Sequence, residues 1–416
     1  MVSQRHTVPG SSSAGSEHAG LVVVQKDVAD PDVRDGTHMD TLQLSVAGAL
    51  SQLFVAATYL LAARSASPAD YGAVVSVTAA ATAVGGLLDW GSGTNALRRL
   101  ASQNMTTAYF HAWWRGRTAL LVGFGAIFGF FVAGWHQTLV LVAVGAAGML
   151  ALPPVVFAAS IPQRVQGRFR FVAITTSLTR GCGLAIMGSA AVLSERPYVF
   201  LPLALSTSLL LEGVVYRWGS PPDRTRGPRL VWKVWRGTGW IGLSSAILSM
   251  QSLDVTVASR SGGASVAGEY AAVNRWTSPL GLPASAFTQA VAPRLAGATS
   301  HREALYALKP GLKWLWLVAG VALLVVVFSR PLTSLLLGSL YAASADTLRI
   351  LAVGTVVAVV NQPLFAFLLA RHRDVSAAAA AGALIASQLA LIALLAPKMG
   401  ASGAALAFVA GQAVAL

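Results

Sequence analysis

Long runs without a charge, broken by short polar clusters, set the rhythm of this chain. Residues 42–63 carry no charge; the cluster Arg64 to Pro68 follows, and a second apolar run extends from Asp70 to about Trp90. A helix needs about 20 mostly apolar residues to cross a bilayer, so each run predicts one membrane span. Residues 118–163 are also free of formal charge. As one helix at about 1.5 Å per residue they would be more than twice as long as the bilayer is thick. They are expected to fold back at Gly134-Trp135-His136-Gln137, giving spans near 118–134 and 138–160. Further spans are predicted near 169–193, 199–216, 238–259, 266–292, 311–329, 346–370, 375–396 and 399–416, for a total of twelve. The final run has no basic residues after it and is expected to be a short or truncated span.

The pattern is used twice. In the stretch 60–101, Arg64 precedes a polar turn, Asp70-Tyr71 opens a helix, and a Gly-rich exit leads to Arg98-Arg99. Residues 257–296 repeat this order, with Arg260 answering Arg64, Glu269-Tyr270 answering Asp70-Tyr71, and Arg294 answering Arg99. Paired repeats are a transporter signature, because a site at their interface can open alternately to either side. Four regions are expected: a disordered cytoplasmic tail at 1–40, an N-terminal half at 41–217, a basic linker at 218–237 and a C-terminal half at 238–416. The tail has no apolar run long enough for a secretory signal, since 21–24 is only four residues. In the linker, Trp232 and Trp235 interleave with Lys233 and Arg236, a pattern suited to the headgroup level.

Composition supports the membrane reading: 55% of the residues are hydrophobic and 11% charged, against about 25% charged in a soluble domain. The net charge of +14 changes the picture only through its placement. The first 40 residues are acidic on balance, and the basic residues beyond them gather in alternate connections. Connections after the odd-numbered spans hold Arg64, Arg196, Arg260, Arg330, Arg349 and Lys398, whereas those after the even-numbered spans hold nineteen basic residues. That is the positive-inside distribution with a cytoplasmic N-terminus, and it argues against a nucleic-acid groove. The single cysteine, Cys182, excludes a disulfide framework and is expected to be buried in its helix.

With these features the chain resembles the multidrug/oligosaccharidyl-lipid/polysaccharide flippase superfamily, nearest its polysaccharide-exporter branch. The residues carrying the likeness are Arg64 and Pro68 to Gly72, Leu87 to Gly91 with Arg98-Arg99, and Asp254 to Arg260 with Gly268 to Tyr270. The resemblance implies an all-α fold of about twelve transmembrane helices in two pseudo-symmetric six-helix lobes around a central cavity. It further implies movement of an undecaprenyl-diphosphate-linked oligosaccharide from the cytoplasmic to the outer leaflet of the cell membrane. Partners would then be that lipid-linked glycan, membrane lipids and candidate polysaccharide-assembly proteins, with no nucleic acid.

A phosphate-rich headgroup needs a polar and preferably cationic path through hydrocarbon, and arginine binds phosphate oxygens bidentately. Arg180, about 15 Å into the fifth span by helical rise, and Arg275, in the eighth, are the candidates for lining such a cavity. Asn274 adjoins Arg275, and Asp254 is expected to pair with it or to take up a coupling ion. Asn361-Gln362-Pro363 is a polar break in the tenth span, either a packing kink or a step that binds sugar. Arg98, Arg99 and Arg294 are expected at the cytoplasmic mouth, with Asp89 and Glu212 solvated at the interface or paired with Arg98 and Arg99.

No Walker A, HExxH or CxxC motif occurs, so no cofactor or metal centre is expected. The energy source stays open among a proton, Na⁺ and the membrane potential. A drug or cation antiporter on the same fold is the alternative; it would want carboxylates in the first half, where only Asp89 stands near an edge. A membrane glycan polymerase would need a large external loop, and the expected external loops are short.

Overall fold

The structure is a computed structural model that describes residues 31–416, except 137–139, 220–234, 236–237, 282–301, 304–305, 307–308, 310 and 371–372. The described residues contain helices and turns but no strand. Residues 40–416 form one compact body.

Local chemistry starts and stops the first helices. Helix α1 (Pro31–Arg64) ends at the predicted polar turn. Ser67 then caps α2 (Pro68–Asp89): its Oγ accepts from the Asp70 amide at 3.2 Å and donates to the Asp70 carboxylate at 2.6 Å. Pro68 stands at the first helical position, where its missing N–H costs nothing. At the other end Trp90 and Gly91 both take left-handed backbone conformations. The chain thereby turns into α3 (Ser92–Ala101), a short helix that buries Ser92, Gly93 and Ala96 and carries Arg98 and Arg99 in its last turn.

Helices α4 (Thr107–His136) and α5 (Val140–Val165) form the predicted hairpin. α6 (Phe169–Leu193) and α7 (Leu201–Trp218), the latter entered through a 3-10 turn, complete the first half. α5 packs on α2, α4 and α7 at its centre. The seventh span is one run of helix that passes through a 3-10 turn: α8 (Gly239–Ser249) and α9 (Leu253–Gly262) are joined at Met250–Ser252. Helix α10 (Ala264–Thr277) gives way to a 3-10 turn at Ser278–Gly281, beyond which the expected eighth span runs outside the described residues. α11 (Gly311–Val327) bends by 73° into α12 (Ser329–Leu336). α13 (Ser344–Ala370) follows, and α14 (Asp374–Val414) comes last.

Nine helical segments among the described residues are long and apolar enough to cross a membrane, and the bent α11–α12 pair adds one more. α14 accounts for two of the expected spans. At Gly400 the backbone leaves the helical region (φ 63°, ψ −145°), a conformation open essentially to glycine alone. The chain folds back there, so that Gly403 meets the Leu395 carbonyl and Gly411 meets Gln388. The protein is therefore an all-α, multi-pass membrane protein.

Three expectations need correction. Cys182 is exposed, because α6 lies at the rim of the first half and turns the face bearing it away from α7. Asp89 pairs with Arg117, not with Arg98 or Arg99. Arg117 is 1% exposed and inside the fold. Glu212 pairs with Arg180 at 3.2 Å. In the linker only Trp235 and the residues flanking α7 and α8 are described. Trp235 donates its indole N–H to the Leu88 carbonyl at 2.8 Å and so packs on the end of α2.

Candidate substrate cavity

Helix α2 stitches the two halves together along its whole length. Near Pro68 it packs on α10 so closely that a methyl group on Gly72 would strike the Ala264 carbonyl, and one on Gly268 would strike the Pro68 carbonyl. Midway, the Thr256 hydroxyl of α9 donates to the Ser76 carbonyl at 2.9 Å. At the Trp90 end, Gly86 lies against Ser249, and Gly242 of α8 lies against the Trp90 ring and carbonyl. Small residues permit this approach, which bulkier side chains would forbid. Both ends of the interface are thus shut.

Beside this interface, on the inner side of the second half, lies a cavity of about 280 Å³. The seventh span lines it with Gln251, Ser252 and Asp254, α10 with Asn274 and Arg275, and α13 with Thr355 and Gln362. Gln251 and Ser252 stand in the 3-10 turn between α8 and α9, three and four residues beyond Leu248, which lines the same wall. Asp254 is buried, and its Oδ2 accepts from the Tyr270 hydroxyl at 2.8 Å and from Asn274 Nδ2 at 3.3 Å. Tyr270 and Asn274 are four residues apart and share one face of α10. Arg275 is one position further round the helix and points toward α1, where its guanidinium carbon lies 4.9 Å from the centre of the Tyr59 ring. For that reason the expected Asp254–Arg275 ion pair does not form.

The described ion pairs are Arg117–Asp89, Arg180–Glu212 and Arg349–Asp346. Arg275 belongs to none of them, and its Nε is buried with no hydrogen-bond partner. Gln362 Oε1 is likewise buried without a partner. The cavity therefore presents a guanidinium and amide groups whose hydrogen-bonding capacity the protein leaves partly unused. An anionic, hydroxyl-rich group is the chemistry that would use it.

The structure separates the other expected site residues from this cluster. Arg180 donates to Ser208 at 3.0 Å and pairs with Glu212, entirely within the first half. Asn361 donates to the Gln412 carbonyl at 2.8 Å and to its Oε1 at 3.0 Å, holding α13 against the end of α14 while its neighbour Gln362 faces the cavity. Arg98 is exposed, and Arg99 lies 5.9 Å over the Tyr109 ring; neither lines this cavity. Arg294 lies outside the described residues.

Sequence reasoning missed Tyr59, Gln251 and Ser252. It used Tyr71 and Tyr270 only as markers of the repeat, yet both rings are fully buried at the interface, and Tyr71 meets Tyr341 edge to face with centroids 6.4 Å apart. The matching positions of Tyr71 and Tyr270 in the two repeats were the signal available for them; Tyr59 offered none.

No protein-family model and no curated protein sequence matches this chain. Solved structures do. The chain is similar to the lipid II flippase MurJ in an inward closed conformation, with a TM-score of 0.70 and 14% identity over 90% of this chain and 86% of that one. An inward-facing multidrug resistance MATE family transporter of the MOP superfamily matches with a TM-score of 0.63 and 14% identity over 88% of this chain and 92% of that one. A MOP superfamily transporter from Pyrococcus furiosus, noted for reverse polarity of its binding pocket, gives a TM-score of 0.60 at 14% identity, covering 90% and 92%. This chain has the fold of the MOP-superfamily transporters. Its structural neighbours in that class are a lipid flippase and drug transporters.

Proposed function

We propose that the protein is a flippase that carries a polyprenyl-diphosphate-linked oligosaccharide from the cytoplasmic to the outer leaflet, for assembly of a surface polysaccharide. The observation that carries this reading is Arg275, a half-buried arginine facing a polar cavity, with its Nε buried and unpartnered and no carboxylate in direct ion-pair contact with it. Arg117 and Arg180, by contrast, are each paired with an acid of the first half. A charge held in the bilayer without a direct ion pair is costly, and binding a diphosphate would relieve that cost while shielding the headgroup from hydrocarbon. Gln251, Asn274 and Gln362 supply amides suited to sugar hydroxyls. A volume of about 280 Å³ holds only part of such a headgroup, so the full substrate enters when the halves part along one end of α2.

Asp254, which lines the same cavity, favours a second reading as a cation-coupled drug antiporter. One experiment separates the two. Deletion of the gene should leave lipid-linked sugar on the cytoplasmic leaflet. Wild-type protein should clear it, and Arg275→Ala, inserted at normal levels, should not. Normal export in the deletion strain, or full complementation by Arg275→Ala, overturns the flippase reading. Cation-dependent dye efflux that Asp254→Asn abolishes would establish the antiporter.

A further inference from the structure

We infer that an apolar groove between the two halves, separate from the polar cavity, is a binding site for one anionic phospholipid of the surrounding membrane, with the headgroup on Arg260. The groove encloses about 690 Å³ and runs along α2 on the half nearer Pro68. Ala73 and Val77 of α2 form its floor, Phe128 and Phe131 of α4 one wall, and Thr256 and Arg260 of α9 the other. Phe131 is 64% exposed. All three helices are membrane spans, so hydrocarbon chains are the solvent that meets this opening.

A plain apolar groove would take any lipid chain, but this one has a cation at its end. Arg260 is exposed in the last turn of α9 and has no acidic partner among the described residues. A guanidinium at the end of a chain-shaped track matches a lipid phosphate, which it can grip bidentately. The repeat sharpens the point, because Arg64 is the sequence mate of Arg260 and is also exposed, yet it lines none of the described cavities. Only the second-half copy meets a groove.

The position gives the lipid a role. Ala264 lines the groove and is also the residue whose carbonyl abuts Gly72 in the α2–α10 seam. A chain lying on Ala73 and Val77 fills the space between α2, α4 and α9 while that seam is shut, and parting the halves reshapes this space. The lipid thus acts as a ligand for the closed seam, and it stabilises that state by its differential affinity.

The test uses the full chain, purified in detergent and titrated with phosphatidylglycerol or phosphatidylcholine, with retained lipid counted by native mass spectrometry. Wild type should prefer the anionic lipid about fivefold, the equivalent of about 1 kcal/mol for one arginine at the surface. Arg260→Gln should remove the preference, Arg64→Gln should keep it, and Ala73→Trp, which fills the groove from an exposed position, should weaken both lipids. The proposal is overturned by a preference that survives Arg260→Gln, by none in wild type, or by lipid retention that Ala73→Trp leaves unchanged. A polyprenyl diphosphate displacing phosphatidylglycerol from this site at equal concentration would assign the groove to transported cargo and also overturn it.

Discussion

Arg117, which is buried, and Arg275, which is half-buried, are held in very different ways. Arg117 donates to Asp89, to the Ser92 hydroxyl at 3.0 Å and to the Pro154 carbonyl at 2.8 Å, tying α2, α3, α4 and α5 into one block. Removing one member of such a pair strands the other charge, whereas removing both leaves none. Arg117→Leu is therefore expected to cost about 3–5 kcal/mol of stability, and the double variant Arg117→Leu/Asp89→Leu markedly less. Unfolding in detergent checks this, and equal losses in the two variants would contradict it. Arg275 has the opposite character, since its exposed chemistry is left for a ligand. Arg275→Lys keeps the charge but loses the fork, so it should restore only part of the activity lost in Arg275→Ala.

At the scale of elements, α2 decides how the halves meet. Its contact with α10 rests on Gly72 and Gly268, where each missing side chain makes room for a carbonyl of the other helix. Gly268→Val should wedge the Pro68 end open. In a Cys182→Ser background, a cysteine at Ser76 should then react with a water-soluble maleimide several-fold faster than it does with Gly268 intact. An unchanged rate would mean that the seam is not the barrier at that end. On the cavity side, Leu248, Gln251 and Ser252 lie three and four residues apart on one face of the seventh span and so reach the same wall.

For the whole molecule, the proposed function makes closure at both ends of α2 one state of a cycle, because transport by alternating access would require α2 to leave α10 or α8 in turn. Cysteines in place of Ser76 and Thr256, whose contact spans the halves at 2.9 Å, should cross-link on oxidation, stop transport and release it again on reduction. Transport that continues through the cross-link would show that the halves move without parting there.

Much of this architecture was legible in the chain. The charge-free runs placed the spans, the polar turn before Asp70 placed a helix start, and the repeat paired Tyr71 with Tyr270, because hydrophobic length and turn chemistry act over a few residues. Partnership was not legible. Asp254 and Arg275 stand in adjacent spans and invite pairing, yet the helical angle between Asn274 and Arg275 sends one to Asp254 and the other to Tyr59. Nothing local distinguishes Arg180, held by Glu212, from Arg275, held by no acid. Sequence alone determined that this is a many-span helical membrane protein, since that property follows from counting along the chain. Which buried charge is satisfied, which faces a cavity and where the halves touch were decided only by tertiary structure, because each depends on side chains brought together from distant spans.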